Sequence, residues 1–256
     1  MRLIIPTYGR ASIDRQHTLR ALKSAGFSPT LVVQAREADQ YRMPAELAVL
    51  PDNIRTIGPT RDWIMENFSD EKLVLMDDDL AFAKRRFDDP QKFLACTPDD
   101  IVDLVMKIED ALDDYDHVGV AGREGANRIT KPFRLVERMM RVLAYNRSVY
   151  FEVGAKFADI PLMEDFHMIL SWLRAGAPNY IINSYVQDQI GGANATGGCS
   201  TYRTDQLQTL AAHKLAQLHP GFVTVMEKTT KVAWGGGTRT DVRVSWKAAY
   251  ASSPDN

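Results

Sequence analysis

The stretch Lys72-Leu73-Val74-Leu75-Met76-Asp77-Asp78-Asp79-Leu80 decides how this chain is to be read. Four apolar residues in a row suit a strand buried on both faces of a parallel sheet. Three carboxylates follow at once. Adjacent negative charges repel, so such a cluster is costly unless a cation sits among them. Ligands of open α/β sheets bind outside the carboxyl ends of the strands, and these aspartates stand at such an end. Side chains alternate along an extended chain, which sends Asp77 and Asp79 one way and Asp78 the other. Asp77 and Asp79 are then the natural oxygen ligands of a divalent metal, which usually brings phosphate with it. A solvated acidic turn is the plainer alternative.

Upstream, β and α patterns alternate. Leu3 to Pro6 reads as a short buried strand that empties into Thr7-Tyr8-Gly9-Arg10. Asp14 to Ala25 reads as a helix stopped by Gly26, and Leu31-Val32-Val33 as a second strand. Ala45 to Leu50 and Ile54 to Ile57 are short apolar segments. Gly58-Pro59-Thr60-Arg61-Asp62 opens a helix to Phe68, with the proline in its first turn. Short links between such elements imply a mostly parallel, doubly wound sheet.

Downstream, Thr97 begins an amphipathic helix to about Tyr115, whose Ile101, Leu104, Val105, Ile108 and Leu112 form a core stripe. Val118 to Ala121 is a buried strand. Gly122 to Arg134 lacks periodicity and reads as a long loop, a kind of segment that is often functional. From Arg123 to Arg147 seven basic residues face two acidic ones, a local charge of +5 with Phe133 and Tyr145 interleaved. A phosphate-tracking surface and a solvated basic face both fit. Ser148 to Val153 is β-rich. Leu162 to Leu173 reads as a helix with Glu164 and Asp165 in its first turn. Tyr180-Ile181-Ile182 is a strand, Gln187 to Arg203 a glycine-rich loop and Asp205 to Leu218 a helix. Lys228, Lys231, Arg239, Arg243 and Lys247 make the C-terminal stretch basic.

The chain has 256 residues and a formal charge of −2, enough for one large domain with an ample core. Cys96 and Cys199 lie far apart and form no metal-type spacing, which fits a reduced setting. No apolar run approaches the roughly 18 residues of a membrane-spanning helix, and Leu3-Ile4-Ile5 is too short for a secretory signal. Without repeats or a low-complexity linker, one domain is expected, with a nucleotide half at about 1–120 and an acceptor half at about 121–256.

Taken in order, Pro6-Thr7-Tyr8-Gly9-Arg10, Gly58-Pro59-Thr60-Arg61-Asp62, Asp77-Asp78-Asp79 and Glu164-Asp165 resemble the layout of glycosyltransferases of the GT-A fold, a Rossmann-like α/β fold. The resemblance is to the large inverting families that use nucleotide sugars, and it covers the first two-thirds of the chain. It implies a UDP-sugar donor contacted by Pro6, Thr7, Tyr8, Arg10, Arg61, Asp77 and Asp78. It further implies Mn²⁺ or Mg²⁺ on Asp79 and Asp77, with His219 completing the metal site, and Asp165 as the general base of an inverting transfer. The family's usual second-strand acid is replaced by Gln34-Ala35-Arg36-Glu37.

The loop Gly122–Arg134, the Gly-Gly-Cys-Ser-Thr-Tyr-Arg ending at Arg203 and His219-Pro220-Gly221-Phe222-Val223 resemble phage TET-associated glycosyltransferases, which add sugar to 5-hydroxymethylcytosine in DNA. That implies DNA contacts from Arg123, Arg128, Lys131 and Arg134, and a cytoplasmic setting, the infected host's if the chain is phage-encoded. Three other readings share parts of the pattern. A glycosyltransferase acting on a polysaccharide, lipid-linked sugar or protein has the same donor site. A sugar-phosphate nucleotidyltransferase needs a Gly-rich loop after the first strand, which Pro6-Thr7-Tyr8-Gly9-Arg10 is not. A DNA-binding protein on a degraded enzyme fold would not depend on Asp79 or Asp165. Sequence leaves the sugar and the oligomeric state open.

Overall fold

The computed structural model describes residues 1–191, 197–229 and 237–254. β1 (Arg2–Pro6) leads through a short 3₁₀ turn to α1 (His17–Ser24). β2 (Thr30–Gln34), β3 (Glu46–Leu50), α2 (Ile57–Asn67) and β4 (Lys72–Met76) follow. After the aspartates come β5 (Leu80–Arg85), β6 (Phe93–Ala95), α3 (Pro98–Asp114) and β7 (His117–Gly122). Then come β8 (Phe133–Leu135), β9 (Val142–Asn146), α4 (Arg147–Val153), α5 (Glu164–Arg174) and β10 (Asn179–Gln189). The chain closes with α6 (Asp205–Leu218), β11 (Val223–Thr229), β12 (Thr238–Val244) and α7 (Trp246–Ala251).

The expected α/β sheet is present, in the order β3-β2-β1-β4-β9-β7-β10-β5-β6, with β8 also on β10. Its first four strands are parallel, as are β7 and β10. β9 runs antiparallel between β4 and β7. Both faces are covered, and side chains alternate between two cores. Ile4, Leu73 and Leu75 join Ile64, Met65, Met168 and Trp172 on one side. Leu3, Ile5, Val74 and Met76 join Leu19, Ile101, Leu104 and Ile108 on the other. The stripe read on α3 is thus core, and Thr97 caps that helix in a reciprocal box with Asp100. A smaller cluster packs α5 against α6, α7 and β11.

Three local readings are corrected. The β-rich run Ser148–Val153 is helical, because Tyr150 reaches back to Asp62 (2.7 Å) and Arg147 to the Met65 carbonyl (2.7 Å), so tertiary contacts override local preference. The strand at Tyr180 runs on to Gln189, past a register shift between Ile182 and Val186 where it changes its grip on β7. Tyr145 is not an exposed aromatic on a basic track. It is 1% exposed, in β9, among Trp172, Phe157 and His117.

Gly58 shows why α2 begins with glycine: a Cβ there would stand 2.8 Å from the Phe157 carbonyl oxygen. Beside it the buried Asp62 carboxylate accepts from the backbone N–H groups of Phe157 and Ala158, both at 2.8 Å. This motif therefore fastens the chain before α5 onto α2. Of the basic C-terminal residues, Lys228 pairs with Asp241 across the β11–β12 hairpin and Arg239 pairs with the same Asp241 along β12. Lys231, with Gly192, Trp234, Gly235 and Gly236, lies outside the described residues. No helix among the described residues is long and apolar enough to cross a membrane.

Three histidines are buried neutral. Burial pushes His117 down to about 4, with only a hydrogen bond to the Ala177 carbonyl opposing it. Burial, with His167 and Arg174 adding to it, lowers His219 to about 3. Burial also lowers His167, against the pull of Asp159. The unfolded chain takes up these protons below its ordinary value of 6.5 while the folded chain does not, so folding stability falls as pH drops from there toward 4. Urea unfolding between pH 7 and 4.5 should show that decline, and His219→Gln should make it shallower.

Candidate active site

β4 ends at Met76, and the chain turns through Asp78 and Asp79 into β5. The turn is pinned from three sides. Thr18, at the start of α1, donates its N–H to the Asp78 carbonyl (3.1 Å) and its hydroxyl to the Asp77 carbonyl (2.5 Å). The Asp77 N–H donates to the Arg141 carbonyl (2.9 Å), and the Ile190 N–H to the Asp79 carbonyl (2.8 Å). Because the chain turns here, strict alternation of side chains fails. Asp78 and Asp79 both clasp the Arg10 guanidinium, at 2.9 Å in the case of Asp79, while Asp77 turns to Arg61 at 3.4 Å.

Several residues expected at the donor are internal. Thr7 donates its hydroxyl to Asp78 (2.5 Å) and accepts from Gln16 (2.8 Å). Thr7, Arg10 and Asp78 are all buried, and Pro6 ends β1 inside the sheet. They form a buried support beneath the aspartates. Burial opposes the Arg10 charge, but Asp78 and Asp79 outweigh it and raise its pKa. Burial pushes Asp78 up to about 6, with Arg10 pulling the other way. Tyr8 stays half-buried at the surface, with the Arg36 guanidinium 4.9 Å above its ring and bonded to its hydroxyl at 2.7 Å. The acid missing from the second strand returns one turn later: buried Glu37 accepts from the Gly9 N–H at 2.9 Å.

Arg61 joins the two acidic motifs. Its side chain is 6% exposed, with Nη1 on Glu164 at 2.6 Å and Nη2 on Asp77 at 3.4 Å. It is a buried clamp rather than a surface group poised over a diphosphate. Burial raises the Asp77 pKa to about 7 despite Arg61, with Asp79 adding to the rise, though 30% of the Asp77 side chain stays exposed. Burial likewise raises Glu164, against the pull of Arg61. Asp165, next on α5, is 14% exposed and meets Arg138 at 3.1 Å. Arg138 in turn lies 4.0 Å over the Phe166 ring. Met163 enters this helix at φ +64°, a left-handed conformation costly for a side-chain residue.

Sequence reasoning missed a second set of groups. Gln189 donates to Asp79 (3.0 Å), and buried Gln187 accepts from Arg141 (3.3 Å). Tyr202 bonds Cys199 (3.1 Å) and accepts from the Ile57 N–H (3.2 Å). Gly198 donates to the Tyr8 carbonyl (2.9 Å), and a Cβ on Gly197 would stand 3.0 Å from that oxygen. The end of the glycine-rich stretch is thus docked on the first loop. Of the cations counted on a basic track, Arg141 is 16% exposed and turned toward Gln187 and Glu124, while Arg138 stays exposed and pairs with Asp165. No local pattern marks these roles, since each depends on a strand end delivered from elsewhere.

The donor set fits a hard cation in part. Asp79 Oδ1 is buried without a hydrogen-bond partner among the described residues, and Asp77 is strongly desolvated. Two such carboxylates suit an ion that is completed by phosphate and water. His219 is not brought to them. Its Nε2 meets His167 at 2.9 Å and its Nδ1 meets Arg174 at 3.3 Å, which occupies both ring nitrogens. Among the described residues no group of three His, Cys, Asp or Glu side chains is arranged to hold a metal.

The expected DNA-contacting residues divide. Arg128 and Lys131 are exposed and make no ion pair among the described residues, and Arg123 is half-exposed, 4.0 Å from Asp188. Arg134 is engaged by Glu137 and by Asn183 (3.2 Å) and leaves the surface track.

Residues 1–198 match the TET-associated glycosyltransferase family. Beta-glucosyl-HMC-alpha-glucosyl-transferase of Enterobacteria phage T6 is 24% identical over 241 residues, which cover 86% of this chain and 81% of that protein. The glucosyl-3-phosphoglycerate synthase of Mycobacterium tuberculosis, solved with Mn²⁺, UDP-glucose and phosphoglyceric acid, superposes with TM-score 0.51 at 12% identity, covering 96% of this chain and 90% of that one. S. aureus TarS 1–349 with UDP-GlcNAc gives TM-score 0.51 at 13% identity, covering 84% and 67%. These two likenesses establish the GT-A fold.

Replacing Arg61 by Met would leave Asp77 and Glu164 facing each other without a cation. Breaking a buried pair from one side costs about 3–5 kcal/mol, and urea unfolding of Arg61→Met should show a loss of that size.

Proposed function

The chain belongs to the TET-associated glycosyltransferase family, and from that premise we propose that it moves a sugar from a UDP-sugar to the hydroxymethyl group of 5-hydroxymethylcytosine in DNA. It is a glycosyltransferase on a GT-A fold. The observation that carries the finer reading is the meeting of the strand-end aspartates with the α5 acids through Arg61, in a chain related to a phage enzyme whose name specifies HMC. We read the chain as one domain, with the donor half at about 1–120 and the acceptor half at about 121–256.

In this reading Tyr8 stacks on the uracil, and Asp77 and Asp79 hold Mn²⁺ or Mg²⁺. When bound, that ion neutralises the leaving diphosphate as a Lewis acid. Arg10, Thr7 and Gln189 fix the two aspartates in place. Asp165 takes the proton of the acceptor hydroxyl, helped by the N-terminus of α5, which favours its ionised form. Arg138 orients the Asp165 carboxylate. Arg123, Arg128 and Lys131 follow the DNA backbone, and the target base leaves the duplex to reach the donor.

Asp79→Ala should abolish the metal-dependent part of UDP-glucose binding in calorimetry. Asp165→Asn should keep that binding and lose at least a hundredfold in turnover. Equal donor affinity in wild type and Asp79→Ala would sink the metal assignment.

A second reading is favoured by the relative's name, which specifies an alpha-glucosyl product on an already glucosylated base. An α bond made from an α-linked donor means retention, and then Asp165 is not a base on the face opposite the leaving group. Mass spectrometry of nucleosides from hydroxymethylated and pre-glucosylated DNA, followed by digestion with α- or β-specific glucosidase, separates the two. One hexose gained on 5-hydroxymethylcytosine in a β linkage supports the first reading. An α-linked hexose gained only on glucosylated DNA supports the second.

A further inference from the structure

We propose that the cleft between the β5–β6 turn and the loop after β7 is an anion site that seats a backbone phosphate of the DNA, several nucleotides from the base that receives the sugar. The proposal rests on the reading of DNA as acceptor. The cleft measures about 490 Å³ and is lined by Arg86, Gln91, Lys92, Phe93, Arg123 and Asn127. Three of these are cations and two are amides, and none is a carboxylate.

Arg85 stands beneath this lining. It donates to the carbonyl oxygens of Asn183 (3.1 Å), Ala126 (3.2 Å) and Pro90, and lies 4.7 Å from the centre of the Phe93 ring. Its partners are all neutral, and among the described residues it has no ion pair. Burial accordingly lowers its pKa. A guanidinium held by carbonyls alone keeps its charge available to an anion above it. Arg123 lies 5.8 Å from the same ring. Among the described residues the ion pairs of the lining cations lie at the surface, Arg86 with Asp88, Lys92 with Asp89 and Arg123 with Asp188. The single-contact pairs of Lys92 and Arg123 are weak and give way to a phosphate, and Arg86, held by both oxygens of Asp88, stays charged at the rim of the cleft. The amides and the Phe93 ring offer a sugar or base edge the polar and stacking contacts that accompany phosphate binding.

The cleft is tied to the active site through β10. Arg123 donates its N–H to the Gln187 carbonyl (2.9 Å), and two residues on Gln189 holds Asp79. Arg85 lies six residues along the chain from Asp79, about 20 Å of extended strand. At 3.4 Å per step of duplex, that is about six nucleotides from the reacting base. A donor diphosphate bound at the strand ends does not reach it.

The test uses the full chain, a 20-mer duplex with one central 5-hydroxymethylcytosine, and a trinucleotide carrying the same base that is too short to span the distance. For Arg86→Glu combined with Lys92→Glu, KM for the 20-mer should rise at least tenfold. The salt slope of 20-mer binding, read by anisotropy, should become shallower by about 2, while transfer to the trinucleotide is unchanged. Arg86→Gln with Lys92→Gln should give an intermediate KM. Wild-type KM and salt slope in the charge-reversed protein would overturn the site, as would an equal loss on the trinucleotide or displacement of the 20-mer by deoxycytidine monophosphate at equal phosphate concentration. If wild type binds the 20-mer through these residues yet transfers no sugar to any DNA, the acceptor reading fails and the anion site stands.

Discussion

The arrangement depends on holding several carboxylates together away from water. Asp77, Asp78, Asp79 and Glu164 would repel one another if nothing positive lay among them. Two arginines from different parts of the chain supply the charge: Arg10 from the loop after β1 between Asp78 and Asp79, and Arg61 from α2 between Asp77 and Glu164. Each brings an element with it. Arg10 ties the first loop to the end of β4, and Arg61 ties the end of β4 to the start of α5. The compensation is incomplete, since Asp77 remains raised to about 7 and Asp79 keeps an unpartnered oxygen. A site in that condition gains from a further cation, and in the proposed reaction that cation arrives with the donor.

The support around the site explains why it takes so much of the chain. β10 passes Gln187 and Gln189 under the aspartates, and its register shift lets it grip β7 on both sides of the irregularity. The glycine-rich stretch returns at Gly198 to the Tyr8 carbonyl. Asp62 fastens Phe157 and Ala158, and so fixes the approach to α5. The left-handed Met163 is the local expense of presenting Glu164 to Arg61 and Asp165 to Arg138. These contacts are hydrogen bonds of buried groups, which cost more to leave unmade than they contribute when made. Losing one of them therefore costs stability as well as position.

The same distinction governs the basic residues. Seven cations between Arg123 and Arg147 look like one surface in the sequence. In the structure Arg134, Arg141 and Arg147 hold protein groups below the surface, Arg138 is exposed but pairs with Asp165, and Arg123, Arg128 and Lys131 stay at the surface. Arg85, which stands outside that run, lies under the cleft lined by Arg86, Lys92 and Arg123.

Sequence alone determined the frame. The apolar runs of β1, β2, β4 and β7, the stripe of α3 and the full extent of α6 were legible because burial and helical periodicity leave local patterns. Asp77 to Asp79 at a strand end and Glu164-Asp165 opening a later helix were legible as acidic motifs, and the structure joins Asp77 to Glu164 through Arg61. Only tertiary structure decided which partner each charge takes. It turned Asp78 and Asp79 together onto Arg10, made Arg61 a clamp, engaged both nitrogens of His219 away from the aspartates and wound Arg147–Val153 into a helix. The reason is physical: a charge or hydroxyl is satisfied by whatever lies within about 3 Å, and elements far apart in sequence supply that neighbour.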